Sequence, residues 1–399
     1  MSDVQQPQEP IPQDALPETH SPVLDPCTSS PEVWVVPPDF SSSTEPSKWT
    51  VEVLNTSSST VTTEKPQQAY MRIHSKDPIQ LDHHRVGWGQ IYFGVILPRI
   101  PGMLLQGEPV YQAPPADAYQ AVAIKRLRKS IVDQALAEGH SENPYLEISR
   151  MQRYGDNVHV LGCVEALVDE ANDFLYIITP RCECNLVDWI PWGQGMKEDA
   201  SRTIFAQLLE DVQYLQDQGL CHRDLSPDNC MIYQGRVVLN DLAKSFLVPY
   251  AASDENSGQL MTPAKPHGKP PYLPPELVFG YPYNAYACDV WAATIILFNL
   301  LTGEILCKLP LPSDIHFRYF VMAGGVSRTP QNERTVEILM SLDEPERNTL
   351  WAVAQKCLNM SEPALEVFEN SLRLAAFARW SLRQLKQSPW MNGPQGMAS

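Results

Sequence analysis

The sequence predicts an α+β chain in two lobes, a small strand-rich one followed by a larger helical one. Three observations lead there. From about Leu81 to Cys182 the apolar segments are short, rich in β-branched and aromatic residues, and bounded by Gly and Pro. Beyond Cys182 they lengthen and take the spacing of amphipathic or buried helices. The 399 residues also suffice for a two-lobed domain of ~250–300 residues with a tail.

Residues 1–75 are rich in Pro, Ser, Thr, Gln and Glu, with clusters such as "SSSTEPS" and "NTSSSTVTTEKPQQ". Such composition buries too little apolar surface to offset chain entropy, so an acidic, disordered tail is expected. Its one apolar patch, "VWVVPPDF" from Val33 to Phe40, is read as a sticky spot, with docking of a partner as the alternative. Residues 76–182 form the strand-rich lobe and its connection to the next. "GWGQIYFGVIL" and "AYQAVAIKRL" read as strands separated by a long Pro/Gly-rich loop, "PRIPGMLLQGEPVYQAPPAD". "NPYLEISRMQRYG" has helical spacing, with Leu146, Ile148, Met151 and Tyr154 near one face. "HVLGCVEALVDEANDFLYIITP" reads as two strands joined by a polar turn.

Residues 183–392 form the helical lobe, and 393–399 a short disordered end. "DASRTIFAQLLEDVQYLQDQG" is a helix ending at Gly219, and "YACDVWAATIILFNLLTGE" and "SEPALEVFENSLRLA" are two more. The apolar run "VWAATIILFNLLTG" is too short to span a bilayer and reads as a buried helix.

A formal net charge of −17 argues against nucleic acid or an anionic membrane as the main partner. Nine Cys are scattered and no secretory n-region opens the sequence, which predicts reduced thiols and a cytoplasmic or nuclear, intracellular location. The pair Cys182 and Cys184 lacks a second pair at zinc-site spacing.

The chemistry concentrates between Cys221 and Phe246, in "CHRDLSPDNCMIYQGRVVLNDLAKSF". Phosphoryl transfer needs metal on the phosphates, a cation on the α/β-phosphates and a carboxylate to orient the attacking hydroxyl. Asp224, Asn229 and Asp241 offer a loop acid, a neutral oxygen ligand and an acid behind an apolar run, the hard oxygens that Mg²⁺ selects. Lys125 ends a strand on the face that also carries Ala123, and Glu147 follows on a helix.

These motifs resemble those of eukaryotic-type protein kinases. "HRDLSPDN" is similar to the catalytic loop, "VAIK" to the third-strand motif and "NDLA" to the motif that usually reads Asp-Phe-Gly. "PPYLPPELVFG" resembles the end of the activation segment, "CDVW" the start of the central helix and "ARWSLRQLKQSPW" the closing helix. The order holds from about residue 80 to 391. The resemblance implies a protein-kinase-like fold and a serine/threonine protein kinase that uses ATP and Mg²⁺ on protein substrates. The alternative is a pseudokinase that recruits partners.

The resemblance further implies that Asp224 is the catalytic acid–base group, that Asn229 and Asp241 hold Mg²⁺, and that Lys125, held by Glu147, contacts the nucleotide phosphates. The nucleotide pocket would comprise Gly87, Gly89 and Ile91 of the glycine-rich turn, Ala123 and Met231 around adenine, Thr179 at the back, and Pro180 and Cys182 at the connecting strand. Met151, His222 and Leu242 would stack in a column. Glu276 would pair with Arg379, and Asp289 would brace the catalytic loop. Arg223 would meet a phosphate on the activation segment, with Thr262 the favoured acceptor and Ser257 second. Four departures stand out: a missing third glycine, Leu242-Ala243 in place of Phe-Gly, Ser226 and Lys269 where Lys and Thr are usual, and the long loop after Leu97.

Overall fold

The computed structural model describes residues 32–36, 47–50, 68–72, 84–86, 89–113, 120–155, 157–249, 260–262, 266–323, 325–326, 340–345, 347–348, 350, 357 and 359–393. The first lobe is one sheet built on a long central strand. Its strands are β1 (Glu32–Val36), β2 (Ser47–Thr50), β3 (Gln68–Arg72), β4 (His84–Val86), β5 (Gly89–Leu105), β6 (Glu108–Gln112) and β7 (Ala121–Arg128). The helices α1 (Lys129–Ala137) and α2 (Pro144–Tyr154) follow, then β8 (Glu165–Asp169) and β9 (Phe174–Pro180). The strand order is β2-β1-β6-β5-β7-β9-β8, with β3 and β4 also paired to β5. All pairings are antiparallel except β1 with β6.

Two sequence expectations change here. β1, β2 and β3 lie inside the segment 1–75 that composition assigns to disorder, and they join the sheet. Trp34 to Val36 pair with β6, so Val33 to Val36 of the patch lie in a strand, and its residues 37–40 lie outside the described residues. The short β-branched runs here are completed by hydrogen bonds to strands far away in sequence, which composition averaged over a tail does not register. The Pro/Gly-rich loop is largely a hairpin. β5 continues to Leu105, turns at Gln106 and Gly107, both at positive φ of 54° and 86°, and returns as β6. Pro101 and Gly102 fall where the register shifts between Arg99 and Leu104, a place where a missing N–H costs the ladder little. The short C-terminal end 394–399 and the acceptor Ser257 lie outside the described residues.

The second lobe contains β10 (Cys184–Asn185), α3 (Leu186–Trp189), α4 (Glu198–Asp217), β11 (Leu220–Cys221), β12 (Cys230–Tyr233), β13 (Arg236–Leu239) and β14 (Phe246–Leu247). It continues with α5 (Pro275–Val278), α6 (Ala285–Thr302), α7 (Ile315–Ala323), α8 (Glu362–Ser371) and α9 (Leu382–Lys386). The apolar face of α4 (Phe205, Leu208, Leu209, Val212, Leu215) packs in one core with Trp291, Ile295, Ile296 and Phe298 of α6. By length and composition α6 alone among the described helices would cross a membrane, but 89% of it is buried inside the fold. Asn284 caps its first turn and Gly303, at φ 66°, ends it. The lobes meet where Leu161 N–H donates to Leu239 C=O at 2.8 Å and where α2 packs on the turn Leu242–Lys244.

Candidate active site

Alternation along β7 buries Val122 and Ile124 in the sheet core and turns Ala123 and Lys125 into a cleft of about 670 Å³ between the lobes. The register sets Thr179 beside Ala123 and Ile91 beside Lys125, and all four line the cleft. Pro180, Cys182 and Met231 line it too. Cys182 packs with Leu161 and Val238, and burial pushes its thiol up to about 12, so it presents a neutral apolar surface.

Gly89 is not among the cleft-lining residues. A Cβ there would sit 1.9 Å from the Arg126 carbonyl oxygen, so close strand packing requires this glycine. Gly87 lies outside the described residues.

Helix α2 delivers Glu147. Asn143 accepts from the N–H groups of Tyr145 and Leu146, and Pro144 occupies the first turn, so the helix start is fixed. The buried face carries Glu147, Arg150, Met151 and Tyr154, whereas Leu146 and Ile148 are only half-buried. Hydrophobic periodicity marked Met151 and Tyr154 but passed over the two buried charges. Lys125 Nζ meets Glu147 Oε2 at 2.8 Å. Burial acts to lower the Lys125 pKa, yet Glu147 and Asp241 together outweigh it and raise it. Burial, with Asp241 and Glu142, raises that of Glu147. Two carboxylates thus surround one ammonium, an excess of negative charge that a cation at Asp241 would relieve.

The loop bearing Asp224 is held from below. Both oxygens of the buried Asp289 accept backbone N–H groups, from His222 at 2.7 Å and Arg223 at 3.0 Å. His222 Nε2 lies 3.1 Å from the Asn240 carbonyl, and Met151, His222 and Leu242 are all buried. Asn229 donates through Nδ2 to the Asp224 carbonyl at 2.8 Å, which leaves its amide oxygen as the atom for a cation. Asp241 sits at φ 60° and accepts from Ala243 N–H at 3.3 Å. Ala243 is in a right-handed turn, so this conformation needs no glycine.

Asn229 and Asp241 line the cleft beside Lys125. One carboxylate and one amide oxygen suit Mg²⁺, which keeps several waters and binds phosphate oxygens alongside few protein ligands.

Elsewhere, Arg379 makes a two-pronged pair with Glu276, at 2.8 and 3.1 Å. The Arg223 guanidinium lies 5.5 Å over the Phe246 ring. Thr262 is exposed, next to the bridge between Met261 and Tyr283, and no bond joins it to Arg223 among the described residues.

Four contacts had no counterpart in the sequence reading. Lys244 Nζ meets Asp224 Oδ2 at 2.8 Å. The Lys269 N–H donates to Asp224 Oδ1 at 3.1 Å, and its Nζ reaches Ser226 Oγ at 3.0 Å. Arg150 donates to Ser245 Oγ. The only sequence signal was the unusual pair Ser226 and Lys269, which reads as two separate losses until the fold brings them together.

A family model described as the protein kinase domain matches residues 107–391. The chain is 31% identical over 172 residues to the serine/threonine-protein kinase PRR2 of Saccharomyces cerevisiae, covering 43% of this chain and 24% of that protein. It is 28% identical over 213 residues to the serine/threonine-protein kinase chk1 of Schizosaccharomyces pombe, covering 52% and 35%. With the serine/threonine-protein kinase STK11 of Homo sapiens it shares 24% over 274 residues, covering 67% and 54%. The matches thus span 24% to 54% of these relatives' lengths. With the family model matched over more than half its length, this chain belongs to the protein kinase family.

Proposed function

We propose that the chain is an active kinase that transfers the γ-phosphoryl group of ATP to Ser and Thr hydroxyls of protein substrates. The observation that carries this is the Lys125–Glu147 pair at 2.8 Å, set in one cleft with Asp241 and with Asn229, whose amide holds the Asp224 carbonyl. The names of the relatives, all serine/threonine kinases, support the choice of hydroxyl. The family generally uses ATP with Mg²⁺. When bound at Asn229 and Asp241, that ion neutralises phosphate charge.

In this reading Lys125 holds the α- and β-phosphates, and Glu147 fixes its ammonium. Ala123 and Met231 enclose adenine, with the Pro180 carbonyl and the Cys182 N–H at its edge and Thr179 behind. Asp224 orients the substrate hydroxyl. As the hydroxyl oxygen bonds to phosphorus and the bridging oxygen departs with ADP, Asp224 accepts the proton. Protein docking through residues 1–75 and an intracellular location belong to the same proposal.

The pseudokinase reading draws on one observation, the Lys244 ion pair that occupies the Asp224 carboxylate. Incubation with γ-labelled ATP and Mg²⁺ separates the two. Wild type should label a generic Ser/Thr substrate, and Lys125→Met and Asp241→Asn should lose at least about 100-fold of that rate while remaining folded. Equal label on all three proteins would falsify the assignment.

A further inference from the structure

We propose that Lys269 supplies, from the activation segment, the cation that meets the transferred phosphoryl group, in place of the one missing at Ser226. This rests on the phosphotransfer reading above. Charge on the transferring group must be met by donors already in position. The loop from His222 to Asn229 contains one permanent cation, Arg223, and its guanidinium stacks over Phe246. Ser226, two residues beyond Asp224, is fully buried and neutral.

Its hydroxyl is met from the other side. Lys269 Nζ lies 3.0 Å from Ser226 Oγ and 2.8 Å from Asp228 Oδ2, and Asp228 lines the nucleotide cleft. The ammonium therefore stands between Ser226 of the Asp224 loop and a carboxylate that lines the cleft. Its backbone is fixed there: the Lys269 N–H donates to Asp224 Oδ1 at 3.1 Å, and Tyr272 N–H closes a turn on its carbonyl at 3.0 Å.

Gly268 permits the approach. It sits at φ 121°, and a Cβ would stand 2.8 Å from the Arg223 carbonyl oxygen. The small residue at 226 and the long one at 269 complement each other, so the two departures form one substitution of a cation from one chain segment to another. The pair with Asp228 is half-exposed, 39% and 52% by side chain. Such a pair is weak, and the ammonium can exchange it for a phosphate oxygen, a stronger acceptor.

The test measures binding rather than turnover, because a cation on the third phosphate distinguishes a triphosphate from ADP. Titration calorimetry with Mg²⁺ would compare ADP with a non-hydrolysable ATP analogue on wild type, Lys269→Met, Lys269→Arg and the double variant Ser226→Lys/Lys269→Thr. In Lys269→Met the analogue should bind about tenfold weaker, with ADP within about twofold of wild type. Lys269→Arg and the double variant should regain most of the preference. If both ligands weaken equally in Lys269→Met, or neither does, Lys269 is only a strap and the inference falls. Should Lys269→Met fail to fold, a double variant that folds without the triphosphate preference overturns it equally. A wild type that transfers label but shows no preference also sinks this inference. One that shows the Lys269-dependent preference but transfers nothing sinks the proposed activity instead.

Discussion

Arg223 and Asp241 hold positive φ angles of 65° and 60° on either side of the reacting centre, each costing on the order of 1–3 kcal/mol. Asp289 offsets part of this by accepting the two amides that lead into Asp224. Another buried carboxyl has a measurable consequence far from the cleft. Asp211 of α4 shares a short contact with His159 Nδ1 and accepts from Arg236, both at 2.8 Å, while its Oδ2 is buried with no partner. Burial dominates and Glu210 adds to it, so despite Arg236 the pKa is raised from 3.8 to about 9. The folded state therefore keeps a proton that the unfolded chain releases above about pH 4. The stability it contributes is whole below that pH and is lost progressively as pH rises toward 9. Urea melts of wild type should show this decline, and Asp211→Asn should flatten it. Parallel declines in the two proteins would show that Asp211 is ionised in the fold.

Among elements, β5 and α2 position the site, and both departed from the sequence reading in instructive ways. β5 was legible at its start, but its extension through Leu105 was hidden by Pro98 and Pro101, which read as loop until the partner strands are known. Helix α2 was legible from the apolar spacing that includes Met151 and Tyr154. On its functional face the Glu147–Lys125 pair was readable through the motif resemblance, whereas Arg150 was not, because it is a buried charge whose partner, Ser245, comes from another element. The motif order made the cleft readable before any contact was known. In the glycine-rich turn, Gly89 serves the β5–β7 pairing, a packing role that the motif does not announce. Gly89→Ala is expected to destabilise the first lobe by about 1–3 kcal/mol, as overpacking against rigid backbone does. Thermal melts with and without ADP would show an equal loss in both. An Ala variant as stable as wild type but unable to bind ADP would return Gly89 to the phosphates. Asn143→Ala, which removes two capping bonds from α2, should cost about 1 kcal/mol in the same melts.

Taken whole, the molecule gathers positive charge where α2, the catalytic loop and the segment after Asp241 converge. Arg150 is buried, and burial together with Arg223 lowers its pKa. His267 is lowered by burial, Arg223 and Lys244, so these groups stand near one another. No carboxylate pairs with Arg150 or Arg223 among the described residues. A phosphate on the activation segment would bring about −1.5 to −2 charge to this cluster, and a guanidinium meets phosphate with two parallel bonds. It would also compete for Lys244, which now occupies the Asp224 carboxylate, and so free the group proposed to accept the substrate proton. We therefore expect phosphorylation of this segment to raise activity, with the exposed Thr262 as the favoured acceptor. Phosphatase treatment should lower the wild-type rate by about tenfold or more. Arg223→Ala should begin near that lowered rate and respond little, and Thr262→Ala should resemble phosphatase-treated wild type. Full activity after complete dephosphorylation would instead mean that the stacking of Arg223 on Phe246 and the Arg150–Ser245 bond hold the segment in place unaided.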